Sequence, residues 1–350
     1  MDGENKEKTE RENGLLAEMV IAAKKKPNAK GGLVVDPKGS EGAAFSAEIE
    51  EQLIETERQV RNVAELNANA EESRSWEKAR QVVAGFKPVP FFIWRIANFV
   101  LGKPGHINEI SEGMLFGLRR LLFAVASDEL LGKGEKVNNV REALRIVPSD
   151  VVAASSVIHS LCRKLANQQF ERIWRPILDD ALLRARIGYM VGKHRKEFGA
   201  GRGMLAGFAG RVGIVILIAT GELEQARQAL ELLATGMSIK KVGLTIYGCD
   251  PLQVSAYVLS AAGCGRDAAL GVAGFSMSDF IDRLGDSPEQ LTWIAAFVIC
   301  EQVRLMKVEE IDKRLWENML IQSQEQQIQL VGEVKKLLRR GHGWGWFVAS

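Results

Sequence analysis

The hexapeptide Gly201-Arg202-Gly203-Met204-Leu205-Ala206 matches G-x-G-x-x-A. Glycines at that spacing let a backbone approach a pyrophosphate, but only between a strand and a helix and with an acidic residue about 20 positions later. The preceding stretch here, LLRARIGYMVGKHRKEF, is helical and basic, and no GxxxxGK[ST] occurs anywhere. Dinucleotide binding is therefore not expected. The four histidines (His106, His159, His194, His342) have no neighbour at metal-ligand spacing, with no HxxxH, HExxH or adjacent His-Asp. No G-x-S-x-G marks a nucleophile elbow. Cys162, Cys249, Cys264 and Cys300 are widely separated and apolar in context, which reads as four buried free thiols in a reducing compartment.

Arginine chemistry is the sharper question. The segment Leu205–Leu217, LAGFAGRVGIVIL, is small, then apolar, and holds one cation, Arg211. Basic residues also gather at Arg119-Arg120, at Arg184 and Arg186, and at Lys335-Lys336 with Arg339-Arg340, the last group followed by Trp344, Trp346 and Phe347. Aromatics beside cations stack nucleic-acid bases, while cations at a helix C-terminus answer the macrodipole with no ligand at all. The aromatic end is costly to leave in water and is expected to dock on the body of the protein or on a partner.

These residues must be positioned by helices. The chain has 350 residues, 46% of them hydrophobic, with 46 basic and 44 acidic residues for a net charge of +2. That balance does not call for a nucleic acid or a membrane surface as partner. The apolar runs Val212–Ala219 and Leu291–Cys300 are shorter than the ~20 residues that span a bilayer. The polar N-terminus does not resemble a signal peptide, and a cytoplasmic location is expected. Residues 1–43, which include Lys24–Lys26, read as a disordered tail. A thin apolar stripe predicts a helix over Ser46–Ala84, ended by the two prolines of FKPVP. Amphipathic segments fill residues 88–286. Asp250-Pro251 and Ser287-Pro288 offer helix starts, each with glutamine three residues after the cap; Ser149 is a third candidate cap and Gly236 a stop. Val308–Arg340 predicts a further long polar helix within a C-terminal extension, residues 287–350.

In order and spacing, residues Val89 to about Leu284 resemble an HDOD domain, a helical output-domain relative of the HD-type phosphohydrolases. The resemblance is carried by VPFFIWRIANFVLGKPGHINEISEGM, FAVASDELLGKGEKVNNVREALRIVPSDVV, FERIWRPILDDALLRARIG, GMLAGFAGRVGIVIL and YGCDPLQVSAYVLSAAG. It implies an all-α, two-lobed helical bundle with helical extensions at both ends. It also implies that the positions of catalytic HD metal ligands are Pro176, Gly210, Arg211 and Pro251 here. Glycine and proline carry no ligand atom, and arginine is a fixed cation. The expectation that follows is a non-enzymatic regulatory module without cofactor, acting through protein partners or self-association along the long polar helices, with Trp344, Trp346 and Phe347 available to a partner. Gly207, Gly210 and Gly213 are then packing positions. Three other readings stand beside it: a nucleotide or phosphate sensor with a pocket near Arg211, nucleic-acid binding by the basic, aromatic C-terminus, and a hydrolase whose site no motif marks.

Overall fold

A computed structural model describes residues 70–275 and 287–348 apart from 104, 116 and 135, together with a few positions between 47 and 58. The proposed tail, with Lys24–Lys26, lies outside the described residues. Among the described residues the protein is all-α, with no strand. The helices are α1 (Ala70–Phe86), α2 (Phe91–Leu101), α3 (Arg119–Ala126), α4 (Val140–Ile146), α5 (Ser149–Ala166), α6 (Glu171–Gly192) and α7 (Ala200–Thr220). They continue with α8 (Leu223–Ala234), α9 (Ile239–Val242), α10 (Pro251–Ala261), α11 (Arg266–Phe275), α12 (Pro288–Arg304), α13 (Lys313–Asn318) and α14 (Gln324–Arg340). A single π turn, Gly243–Tyr247, extends α9.

Helix α7 is the axle. It packs against α5, α6, α10 and α12, and most extensively against α6. Helices α2 to α5 form one lobe; α6, α7 and α10 to α12 form the other. By length and composition α7 is apolar enough to cross a membrane, a match that its eight-residue apolar run alone does not show. Yet 89% of that window is buried by the surrounding helices, so its hydrophobicity is spent on the protein core.

Close approach of α6 and α7 depends on glycine. A Cβ at Gly188 would strike the Gly203 carbonyl, one at Gly203 would strike the Gly188 carbonyl, and one at Gly207 would strike the Arg184 carbonyl. The Gly207, Gly210, Gly213 series is thus a packing feature, but against three different neighbours. Gly207 faces α6, Gly210 faces the Glu301 side chain, and Gly213 faces the Pro251 carbonyl. Ser255 Oγ ties the last contact by accepting from Gly213 N–H (3.0 Å) and donating to the Ala209 carbonyl (2.6 Å).

Local sequence fixes several helix ends. Asp250 accepts from Leu252 N–H at 2.9 Å with proline at the first helical position, and Ser287 accepts from Gln290 N–H. Gly236 has φ +84° after α8, a conformation that favours glycine. Ser149 does not cap α5. Pro148 holds that position, and Ser149 Oγ accepts instead from Ile110 N–H at 3.0 Å.

Both extensions share the central core. Ser75 and Trp76 of α1 meet Gln253 and Tyr257 of α10. The expected single helix over Val308–Arg340 is instead a 3-10 turn, α13 and α14. The break comes at Asn318–Ser323, where Leu320 has positive φ and Ser323 with Gln326 forms a new capping box.

Candidate functional site

Two of the positions likened to HD ligands, Gly210 and Arg211, lie at one charged cluster in the α6–α7–α12 interior. Asp180 of α6, one turn beyond Pro176, is its hub. Its carboxylate meets Arg184 Nε at 2.8 Å, Arg211 Nε at 3.1 Å and Arg304 Nε at 2.9 Å. Glu301 of α12 pairs with Arg184 and lies 3.4 Å from Arg211 Nη1, which also donates to the Gly210 carbonyl at 2.8 Å. Three guanidiniums thus surround two carboxylates, and Arg184 is only 1% exposed.

Electrostatics explains how such a group stays buried. Burial pushes the Asp180 carboxyl up, but Arg184, Arg211 and Arg304 outweigh it and hold the group far below the usual carboxylate range. Burial likewise opposes the charge on Arg184, but Asp180 and Glu301 raise its pKa on balance. Arg211 is the strained member. Burial first, then the like charge of Arg184, pull its pKa down against Glu301 and Asp180.

A divalent metal does not fit this donor set. A Cβ at Gly210 would meet Glu301 Oε1, so a histidine there has no room unless Glu301 moves. Arg211 fills the adjacent space with a cation. Pro251 faces Gly213 and Gly243 with ring and carbonyl atoms. Among the described residues no group of three His, Cys, Asp or Glu is arranged to hold a metal.

A second place offers room for a ligand. A cleft of about 770 Å³ opens where the N-termini of α5 and α7 converge beside α4 and the end of α6. Arg141, Arg145, Lys193 and Lys196 line it, with Ser111, Ser149 and Tyr189. Asp150, 3% exposed, also lines it. Its Oδ2 accepts from Gly201 N–H at 2.7 Å, which caps α7 across the lobes. Burial raises the Asp150 pKa against the hydrogen bonds from Gly201 and Val151 and the nearby charge of Arg202. Two helix N-termini and four cationic side chains suit an anion. Glu109 and Glu112 temper that charge, and Glu112 pairs with Arg141 at 2.9 Å.

The glycine-rich hexapeptide lies within α7 and is no dinucleotide loop. Arg202 turns away from any phosphate and donates to five carbonyls, those of Leu101, Lys103, His106, Glu197 and Phe198. The C-terminal aromatics dock on the protein itself. Trp344 and Phe347 are fully buried, and Trp346 stacks on Phe347 with ring centroids 4.0 Å apart. Trp344 Nε1 donates to Asp128 at 2.9 Å, and Arg186 lies over its ring. Trp344 and Phe347 offer no open stacking platform for bases, while Trp346 is half-buried. Arg211 is engaged by Asp180, Glu301 and the Gly210 carbonyl, and it is not among the residues that line the cleft. Sequence reasoning missed Asp180, Glu301, Arg304 and Asp150. The available signal was a charged pair, Asp180 and Arg184, set among the apolar positions Leu178, Ala181, Leu182 and Ala185.

No family model matches the chain, and no curated protein matches it. A solved structure does: a "Putative phosphohydrolase from Shewanella amazonensis SB2B", 13% identical, with a TM-score of 0.52, covering 77% of this chain and 98% of that one. That finding corrects the expectation of a non-enzymatic regulatory module, because the shared fold leads to a protein described as a hydrolase. The likeness itself establishes an all-α bundle of the kind found in that protein.

Proposed function

We propose that the chain is a phosphohydrolase-type enzyme that takes a phosphate ester into the cleft between α4, α5, α6 and α7. The single observation that carries this reading is the cleft itself: Arg141, Arg145, Lys193 and Lys196 around the N-termini of α5 and α7, with Asp150 at their junction. Its presence in a phosphohydrolase-like bundle supports the same class of ligand. The HDOD branch of that fold remains part of the proposal, as a statement about the scaffold only.

The chemistry follows from the groups present. The four cations offset the charge of the phosphoryl oxygens, which otherwise repels an attacking water. Asp150, whose proton is held more tightly than usual because the carboxyl is buried, protonates the leaving oxygen as its bond to phosphorus breaks. Water oxygen forms the new bond to phosphorus, and a proton released from that water restores Asp150. Acid catalysis of this kind contributes roughly 10²–10⁴-fold.

Turnover of p-nitrophenyl phosphate and bis(p-nitrophenyl) phosphate, each with excess EDTA, tests the reading. Hydrolysis is expected for at least one ester. Asp150→Asn should lower kcat about 100-fold, and Lys196→Glu should mainly raise KM. Absence of turnover with both esters, or turnover indifferent to Asp150→Asn, refutes it.

A further inference from the structure

We infer that the Arg184–Arg211–Arg304 cluster, which includes Arg211 of the positions likened to HD ligands, excludes a divalent ion from the α6–α7–α12 interior and supplies positive charge there from the chain's own side chains. The inference rests on the interior geometry and not on the reading of the cleft. Three observations converge. The cluster sits where Gly210 and Arg211 stand, one helical turn from Pro176. It holds one more guanidinium than carboxylate, so the protein environment there is already cationic. It also links three helices through two carboxylates, as a coordinated ion would: Asp180 reaches α7 and α12, and Glu301 reaches α6 and α7.

A metal entering this space would have to displace Arg211 from both Asp180 and Glu301. Arg211, 15% exposed, cannot neutralise itself by losing a proton when it is stripped of its anions. The competition therefore favours the guanidinium at any ordinary metal concentration. Arg211 is the least favoured of the three cations, opposed by burial first and then by Arg184 and Arg304. It stays because removing it would leave two acids to share fewer partners. The cluster thus cross-links the bundle and keeps divalent ions out.

Elemental analysis and thermal unfolding of the full chain test this directly. The purified protein should hold no stoichiometric Mn, Fe, Zn or Mg. Its unfolding midpoint should not change with EDTA, Mn²⁺ or Mg²⁺. Arg211→Met should lower the midpoint by about 4–7 °C, because it breaks a largely buried ion network. Glu301→Gln, nearly the same shape, should lower it by less and guards against Arg211→Met failing to fold. Arg211→Lys should recover part of the loss. A saturable rise in the wild-type midpoint with one divalent ion, or wild-type midpoints in both Arg211→Met and Glu301→Gln, overturns the inference. Either result leaves the cleft proposal standing, and lack of ester turnover leaves the cluster standing.

Discussion

Replacing Gly207 by alanine should destabilise the protein, although alanine is the better helix former. The position lies mid-helix in α7, where the exchange ordinarily gains about 1 kcal/mol. Here the new Cβ falls on the Arg184 carbonyl of α6, inside the 3.0 Å limit that real Cβ atoms respect, with Ala185 N at 3.1 Å behind it. Both obstacles are backbone, so no rotamer change relieves them. The helices must part by about 1 Å, enough to forfeit a quarter to a half of each dispersion contact along the seam. Overpacking of this kind costs about 1–3 kcal/mol, and the upper end applies because the whole helix must move. Arg184, the residue displaced, also anchors Asp180 and Glu301. Net destabilisation of about 2 kcal/mol is expected, a fall of roughly 4 °C in the midpoint for a chain of this size. Gly332→Ala is the matched control: it lies in α14, where a Cβ meets nothing within 4 Å. It should gain about 0.5–1 kcal/mol. Scanning calorimetry of the two variants against the parent decides the matter. A Gly207→Ala midpoint at or above the parent's refutes the glycine-seam argument.

Acid should loosen the bundle through Asp180. Its folded pKa is depressed, so its stabilisation is complete above the unfolded value near 4 and is lost as pH falls toward the folded value. Unfolding in denaturant at pH 7, 4 and 2.5 should show that loss, and Asp180→Asn should reduce the change. Asp150 has the opposite sign: its folded pKa is raised, so stability declines as pH climbs from the unfolded value through the folded one. Asp150→Asn, which keeps an acceptor for Gly201 N–H, should flatten that decline in the same assay. Trp344→Ala removes a fully buried ring together with its bond to Asp128, and should cost about 3–5 kcal/mol in equilibrium denaturation. The four cysteines are buried, and burial pushes the Cys249 and Cys264 thiols up to about 12. A thiol reagent should therefore react with them slowly in the native protein and rapidly after unfolding.

Local signals in this chain proved readable where the cause is local. Asp250-Pro251 and Ser287-Pro288 start helices because the cap side chain and the proline act within one turn. Val212–Ala219 lies inside α7, an apolar run continued as helix by the small residues before it. The break between α13 and α14 was hidden because the apolar stripe continues through Ile321, Leu330 and Val334 although the backbone turns. The sequence displays Gly210 and Arg211 but not the carboxylates that fold against them. Asp180 and Arg184 are four residues apart, a spacing that surface ion pairs share, and only their apolar neighbours mark them as different. Only folding brings Glu301 and Arg304 beside them from 117 and 124 positions away. The cleft draws on the loop after α2, on α4, and on the ends of α5, α6 and α7, so no window of sequence displays it.

Both places of interest hang on the same two helices. Helix α6 carries Asp180 and Arg184 at its middle and Tyr189, Gly192 and Lys193 at its end; α7 begins with the cleft residue Ala200 and reaches Arg211 three turns later. Between cleft and cluster runs the seam of Gly188, Gly192, Gly203 and Gly207, where the backbones touch without a Cβ between them. Packed backbones deform less readily than side chains, so a displacement at the cluster must tilt α6 against α7 and shift Lys193 relative to Gly199. Loss of Arg211 should therefore weaken ester binding in the cleft even though Arg211 does not line it. Arg211→Met alone would show this as a raised KM for the ester. An unchanged KM in that variant would mean that the seam isolates the two sites.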